Sequence, residues 1–135
     1  MKYYLDTCIW FDYFENRQDK YRPLGEWAIK LINKIIAEES TFIFTDILMR
    51  ELKTRYSQKQ LTSYLEIIPK SLIIYLRHSY LDIAEAITLK EKLNISFGDA
   101  LHAILARNND AMLITRDNHF NEIKFIKIFK PEDLI

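Results

Sequence analysis

Apolar residues along this chain fall into two alternating patterns: short runs of a few positions, and longer stretches in which they recur every third or fourth position. The first pattern predicts strands and the second amphipathic helices. KYYL at positions 2–5 forms a first strand. Over 7–14, Ile9, Trp10, Tyr13 and Phe14 have helical spacing, and Thr7 is a suitable cap. The polar stretch 16–24, which contains Pro23, predicts a loop. Over 25–38, Trp27, Ala28, Leu31, Ile32, Ile35 and Ile36 line one face of an amphipathic helix. TFIFT at 41–45 predicts a second strand. Asp46 would then cap a helix carrying Ile47, Leu48, Glu51, Leu52 and Arg55, and a further helix over 57–68 would fold back on it. Pro69 and Lys70 interrupt the pattern before a third strand at 72–76. Helices over 80–93 and 99–108 flank a short loop at 94–98, and strands at 111–115 and 124–129 follow. Strands alternating with helices predict a parallel sheet with right-handed crossovers. The expected architecture is therefore a three-layer α/β/α sandwich with a central, mostly parallel sheet, built as one domain over residues 1–135.

Composition narrows what such a fold does. The chain has only two glycines and three prolines, so a glycine-rich phosphate-binding loop of the nucleotide-binding folds is excluded, and no linker marks a domain boundary. Nineteen basic residues balance nineteen acidic ones, so no overall field draws the protein to polyanions. A nucleic-acid substrate would need a local basic rim or a metal. Arg50, Lys53, Arg55 and Lys59 form a modest basic strip, which also fits a solvated face. The single cysteine, Cys8, permits no intrachain disulfide and reads as a small buried hydrophobe. The apolar N-terminus is interrupted by Asp6 and Asp12, unlike a signal peptide. No run approaches the length of a membrane span, so the expected location is cytoplasmic.

Four acidic residues stand out by position: Asp6 after KYYL, Glu51 in ILMRELK, Asp99 in SFGDALHA and Asp117 after AMLIT. In an open parallel sheet the carboxyl ends of neighbouring strands converge on one crevice, where such folds place ligands. Carboxylates gathered there repel; at about 5 Å and an effective dielectric near 20, each pair costs roughly 3 kcal/mol. A divalent cation offsets that cost. Each residue also has an ordinary role open to it. Asp6 fits an N-cap, and Glu51 an i,i+4 partner of Arg55. Asp99 suits a helix start and Asp117 an Asx turn. Their matching topological places together point to metal-dependent phosphodiester chemistry, and an all-oxygen ligand set selects Mg²⁺ or Mn²⁺. His102, one turn beyond Asp99, reads as packed in the core or supporting the site. His119 reads as a polar loop residue within reach of substrate, and His78 as a surface residue at a helix start.

On LDTCIW with Asp6, TDILMREL with Glu51, FGDALHAILA with Asp99 and LITRDNHF with Asp117, the sequence resembles the PIN domain family. That family includes the ribonuclease toxins of VapC-type toxin–antitoxin pairs. The resemblance implies that Asp6, Glu51, Asp99 and Asp117 hold one or two Mg²⁺ or Mn²⁺ ions, with the hydroxyls of Thr7 and Thr115 in support. It also implies hydrolysis of RNA to leave a 5′-phosphate and a 3′-hydroxyl, and an antitoxin partner. Many relatives carry a further acid shortly after the fourth, where this chain has Asn118 and His119. Tyr56, Leu61, Tyr64 and Leu65 are expected to form an exposed apolar patch suited to a homodimer or an antitoxin helix. The rival expectation is a catalytically silent PIN-like module that binds RNA or protein. A haloacid-dehalogenase phosphatase is a poor fit, because its second aspartate would fall at Cys8.

Overall fold

Pairs of helices separate the first four strands of the computed structural model, which describes residues 1–135. In chain order they are β1 (Lys2–Leu5), α1 (Thr7–Glu15), α2 (Leu24–Ala37), β2 (Thr41–Thr45), α3 (Asp46–Leu52), α4 (Gln58–Tyr64), β3 (Ile73–Leu76), α5 (Tyr80–Leu93), α6 (Phe97–Asn108), β4 (Met112–Ile114) and β5 (Ile128–Phe129). The five strands form one sheet in the order β3-β2-β1-β4-β5, and every neighbouring pair is parallel. The expected α/β/α sandwich is the observed architecture.

Strand order decides where a site can form. The chain leaves β1 toward β2 on one side and later returns to β4 on the other, so β1 and β4 flank the switch point of the sheet. A crevice opens there above the carboxyl ends of the strands. Asp6 directly follows β1 and Thr115 directly follows β4, and the Asp6 N–H donates to the Ile114 carbonyl at 2.9 Å, which fixes the two ends together.

Apolar packing on both faces holds this frame. Tyr4, Leu5, Phe42, Phe44, Leu113 and Ile114 are buried, as central parallel strands covered on two sides require. Trp10 is wholly enclosed, contacts the rings of Phe14, Phe42 and Phe44, and donates its indole N–H to the Leu5 carbonyl at 3.1 Å. Ala28, Leu31, Ile32 and Ile35 form the buried stripe of α2. At the crossing of α1 and α2, a Cβ on Gly25 would lie 2.5 Å from the Asn16 Cα. Only glycine allows that approach.

Several boundaries differ from those read in the sequence. α2 starts at Leu24, inside the expected loop, because Leu24 is buried against the core. Thr45, and not Asp46, caps α3, its hydroxyl accepting from the Leu48 N–H at 3.2 Å. α3 ends at Leu52, which leaves Arg55 beyond it. α6 starts at Phe97 under a Ser96 cap, which puts Asp99 in its first turn. The expected apolar patch on the α3–α4 hairpin is not exposed. Leu61 is fully buried, and Tyr56 and Tyr64 pack on Phe14 with ring centroids 5.4 and 4.7 Å away. Exposed apolar side chains instead include Ile74 and Tyr75 on β3 and Tyr80, Leu81 and Ile87 on α5. No helix is long and apolar enough to cross a membrane.

Candidate functional site

Asp6 is at once a helix cap and a crevice residue. Its backbone is extended (φ −66°, ψ 158°), and Oδ1 accepts the Thr7 N–H at 2.8 Å, which caps α1. Oδ2 accepts the Thr115 hydroxyl at 2.8 Å. Thr115 Oγ1 in turn accepts the Asp117 N–H at 3.0 Å, so one hydroxyl couples the ends of β1 and β4 to the loop that carries Asp117. Asp117 opens a short 3-10 turn over Asn118–Phe120. Its Oδ1 accepts the His119 N–H at 2.9 Å, and buried Phe120 anchors the turn. Asp99 arrives from the first turn of α6, its N–H bound to the Ser96 hydroxyl at 3.1 Å.

These placements bring Asp99 and Asp117 together, with His119 between them. His119 Nδ1 lies 3.2 Å from Asp99 Oδ2 and 3.2 Å from Asp117 Oδ1, and one donor atom from each residue falls within 4.8 Å of the others. Asp6 is outside that tight group but is joined to Asp117 through Thr115. Glu51 is also outside it. In place of Arg55, its partner is His102, whose Nε2 bonds Glu51 Oε1. Arg55 lies over the Phe11 ring at 4.5 Å and pairs with Glu15 at 3.7 Å.

His102 belongs to a buried chain of polar groups drawn from four elements. Its Nδ1 is 2.6 Å from the Tyr4 hydroxyl, which is 2.8 Å from Thr45 Oγ1, the α3 cap. Burial pulls the His102 pKa down. The hydrogen bond to Glu51 and the charges of Asp6, Glu51 and Asp99 outweigh it and hold the value above that of free histidine. A raised histidine stabilises the fold below its unfolded value, about 6.5, and loses that contribution as pH rises through the folded value. The melting temperature of metal-free wild type is therefore expected to fall, relative to His102→Gln, as pH climbs above about 6.5. Parallel melting curves for the two proteins from acid to mildly alkaline pH would refute this.

Electrostatics mark the crevice as short of positive charge. Burial first, then the charges of Asp117 and Asp6, push the Asp99 carboxyl above its ordinary value. The Thr7 hydroxyl is buried without a hydrogen-bond partner. A hard cation with coordinated water fits both deficits, and the acidic oxygens are donors of the right chemistry. Cys8 does not contribute a thiolate. Its Sγ is 3.7 Å from Asp6 Oδ2, and burial followed by that charge pushes the thiol up to about 12.

Two further clusters escaped the sequence reading. Arg116 reaches Asp12 at 3.1 Å and Glu132 at 2.8 Å, and its guanidinium lies 5.6 Å from the Trp27 ring. His78, expected at the surface, is 2.8 Å from Asp46 Oδ1 and holds the start of α5 against α3. Neither had a local signal, since the partners are 16 to 104 positions apart.

The profile of the PIN domain family matches residues 3–126. The chain belongs to that family. PIN domains are generally nucleases, hydrolases that use divalent metal ions. In fold this PIN domain is similar to VapBC2 from Rickettsia felis, whose structure is bound to a DNA fragment from their promoter. The identity is 20%, the match covers 95% of this chain and 97% of that one, and the TM-score is 0.69. A toxin–antitoxin complex from Klebsiella pneumoniae is similar at 22% identity, with coverages of 96% and 97% and a TM-score of 0.68. FitAcB from Neisseria gonorrhoeae is similar at 17% identity, with coverages of 99% and 100% and a TM-score of 0.65. No curated protein matches the sequence.

Proposed function

We propose that this PIN domain is a metal-dependent endoribonuclease, the toxin of a toxin–antitoxin pair. Asp6, Glu51, Asp99 and Asp117 would hold Mg²⁺ or Mn²⁺, with Thr7 and Thr115 in support. The observation that carries this reading is the meeting of Asp99 and Asp117 beside Asp6 at the switch point of the sheet, where burial and the neighbouring charges raise the Asp99 carboxyl. When bound, a divalent ion draws a nucleophile from water at neutral pH and neutralises charge on the phosphoryl group.

The chain's own residues do the rest. Asp99 and Asp117, whose carboxylates lie close together, would hold the ion. Asp6 is held in one orientation because each of its oxygens is bound, one by the Thr7 N–H and the other by the Thr115 hydroxyl. The buried, unpartnered Thr7 hydroxyl would gain a partner in a water coordinated to the ion. Glu51, bonded to His102 outside the tight acidic group, would reach the ion from α3. Exposed Arg50, Lys53 and Lys59 are available to phosphates, whereas Arg55 is occupied by Glu15. Cleavage would leave a 5′-phosphate and a 3′-hydroxyl.

The VapBC2, Klebsiella and FitAcB likenesses support an antitoxin as partner. Residues 1–135 would act as a single cytoplasmic domain. A homodimer would use the exposed apolar residues of β3 and α5 in place of the hairpin. One observation favours the rival reading of a silent RNA- or protein-binding module: Glu51 is engaged by His102 outside the tight acidic group. Purified protein is expected to cut single-stranded RNA with Mg²⁺ or Mn²⁺ and to stop when the ion is chelated. Binding of RNA without cleavage under any divalent ion would favour the silent module, and cleavage that survives chelation would remove the metal from the mechanism.

A further inference from the structure

His119 rises from the turn after β4 with Phe120 buried beneath it and its own side chain 69% exposed. A single ring nitrogen, Nδ1, stands 3.2 Å from a carboxylate oxygen of Asp99 and 3.2 Å from one of Asp117. Nδ1 carries at most one hydrogen, and one N–H aims well at only one acceptor. Charge-assisted bonds of this type also run shorter, about 2.7–2.9 Å. The two equal approaches are therefore one hydrogen bond, to Asp99, and one further contact, to Asp117, whose Oδ1 already takes the His119 backbone N–H.

They match the spacing of adjacent donors around a small divalent ion. With metal–ligand distances of about 2.1 Å, neighbouring donors stand about 3.0 Å apart in an octahedral array and about 3.4 Å apart in a tetrahedral one. The two Nδ1 separations fall between these, and all three donors lie within 4.8 Å of one another. With its hydrogen on Nε2, the neutral ring presents a lone pair at Nδ1 to the space between the two carboxylates. A nitrogen donor alters which ions are favoured: Mg²⁺ prefers oxygen ligands, whereas imidazole suits transition ions.

We infer that His119 is a metal ligand, and that Asp99, Asp117 and His119 together take a first-row transition ion such as Mn²⁺ in preference to Mg²⁺. This rests on the proposed metal site and replaces its all-oxygen ligand set with a mixed one. The test is pulsed electron paramagnetic resonance on wild-type protein loaded with Mn²⁺, with calorimetric titration of Mn²⁺ and Mg²⁺ alongside. The expected result is nitrogen modulation from a directly bound imidazole, lost in His119→Gln, with a severalfold drop in the preference for Mn²⁺ over Mg²⁺. Bound Mn²⁺ without nitrogen modulation, or modulation that persists in His119→Gln, overturns the role of His119 and leaves the metal site standing. Failure of wild type to bind Mn²⁺ at all overturns both.

Discussion

Asp99→Asn is expected to lower RNA cleavage by about three orders of magnitude while raising the melting temperature of the metal-free protein. A bound ion contributes several kcal/mol to stabilising charge in phosphoryl transfer, and roughly 4 kcal/mol corresponds to that loss. The opposite effect on stability comes from the same carboxylate. Burial, Asp117 and Asp6 raise its folded pKa, so its ionisation at neutral pH opposes folding, and this penalty fades only as pH falls toward the folded value. A carboxylate in the first turn of a helix gains about 0.3–1 kcal/mol from the helix dipole. The upward direction of the shift means that burial and crowding together outweigh this gain. Asparagine keeps the shape, and the Ser96 cap binds the backbone and is untouched. Single-turnover cleavage with Mn²⁺, and melting curves taken in chelator, measure the two effects. Undiminished cleavage would remove Asp99 from the site, and a lower metal-free melting temperature would mean that the carboxylates are not crowded in solution.

Arg116→Met is expected to destabilise the fold by about 3–5 kcal/mol, the usual cost of breaking a buried ion pair from one side. For a domain of this size that lowers the melting temperature by roughly 10–20 °C. Arg116 is 13% exposed and bridges Asp12, 4% exposed, to Glu132 in the C-terminal turn. Methionine fills much of the volume but leaves the Asp12 charge with only Arg17, 3.9 Å away. Burial already pushes the Asp12 carboxyl up despite both arginines, so losing the nearer one strands a reluctant anion. A second change, Asp12→Asn, is expected to restore part of the loss. Thermal or denaturant unfolding of the single and double variants decides this, and a shift under about 1 kcal/mol for Arg116→Met would mean that water solvates Asp12.

Much of the frame was legible because periodicity reports burial directly. KYYL and TFIFT are apolar on both faces, as central strands must be, and the stripe from Ala28 to Ile35 admits only a helix. Helix starts were less legible. Asp46 and Asp99 look like caps, but Thr45 and Ser96, one and three residues earlier, hold the extended backbone that a cap requires. Asp6 was visible because it ends a strand, and capping α1 leaves its second oxygen facing Thr115. The partner of Glu51 was hidden. A spacing of four suggests Arg55 only while the helix continues, and α3 stops at Leu52, so the side chain meets a histidine 51 positions away. His119 reaches Asp99 across two elements for the same kind of reason. The hairpin tyrosines misled because periodicity on α4 cannot reveal that Phe14 docks against them.

β3 lies at the border of the sheet, with Ile74 and Tyr75 open to water. One row of its amides and carbonyls has no neighbouring strand, which is the template that fibril-forming chains exploit. Its brevity, the proline at 69 and the cations Lys70 and Arg77 on either flank act as gatekeepers against stacking. Replacing those flanking charges with apolar residues would turn a tolerated border into a seed for aggregation.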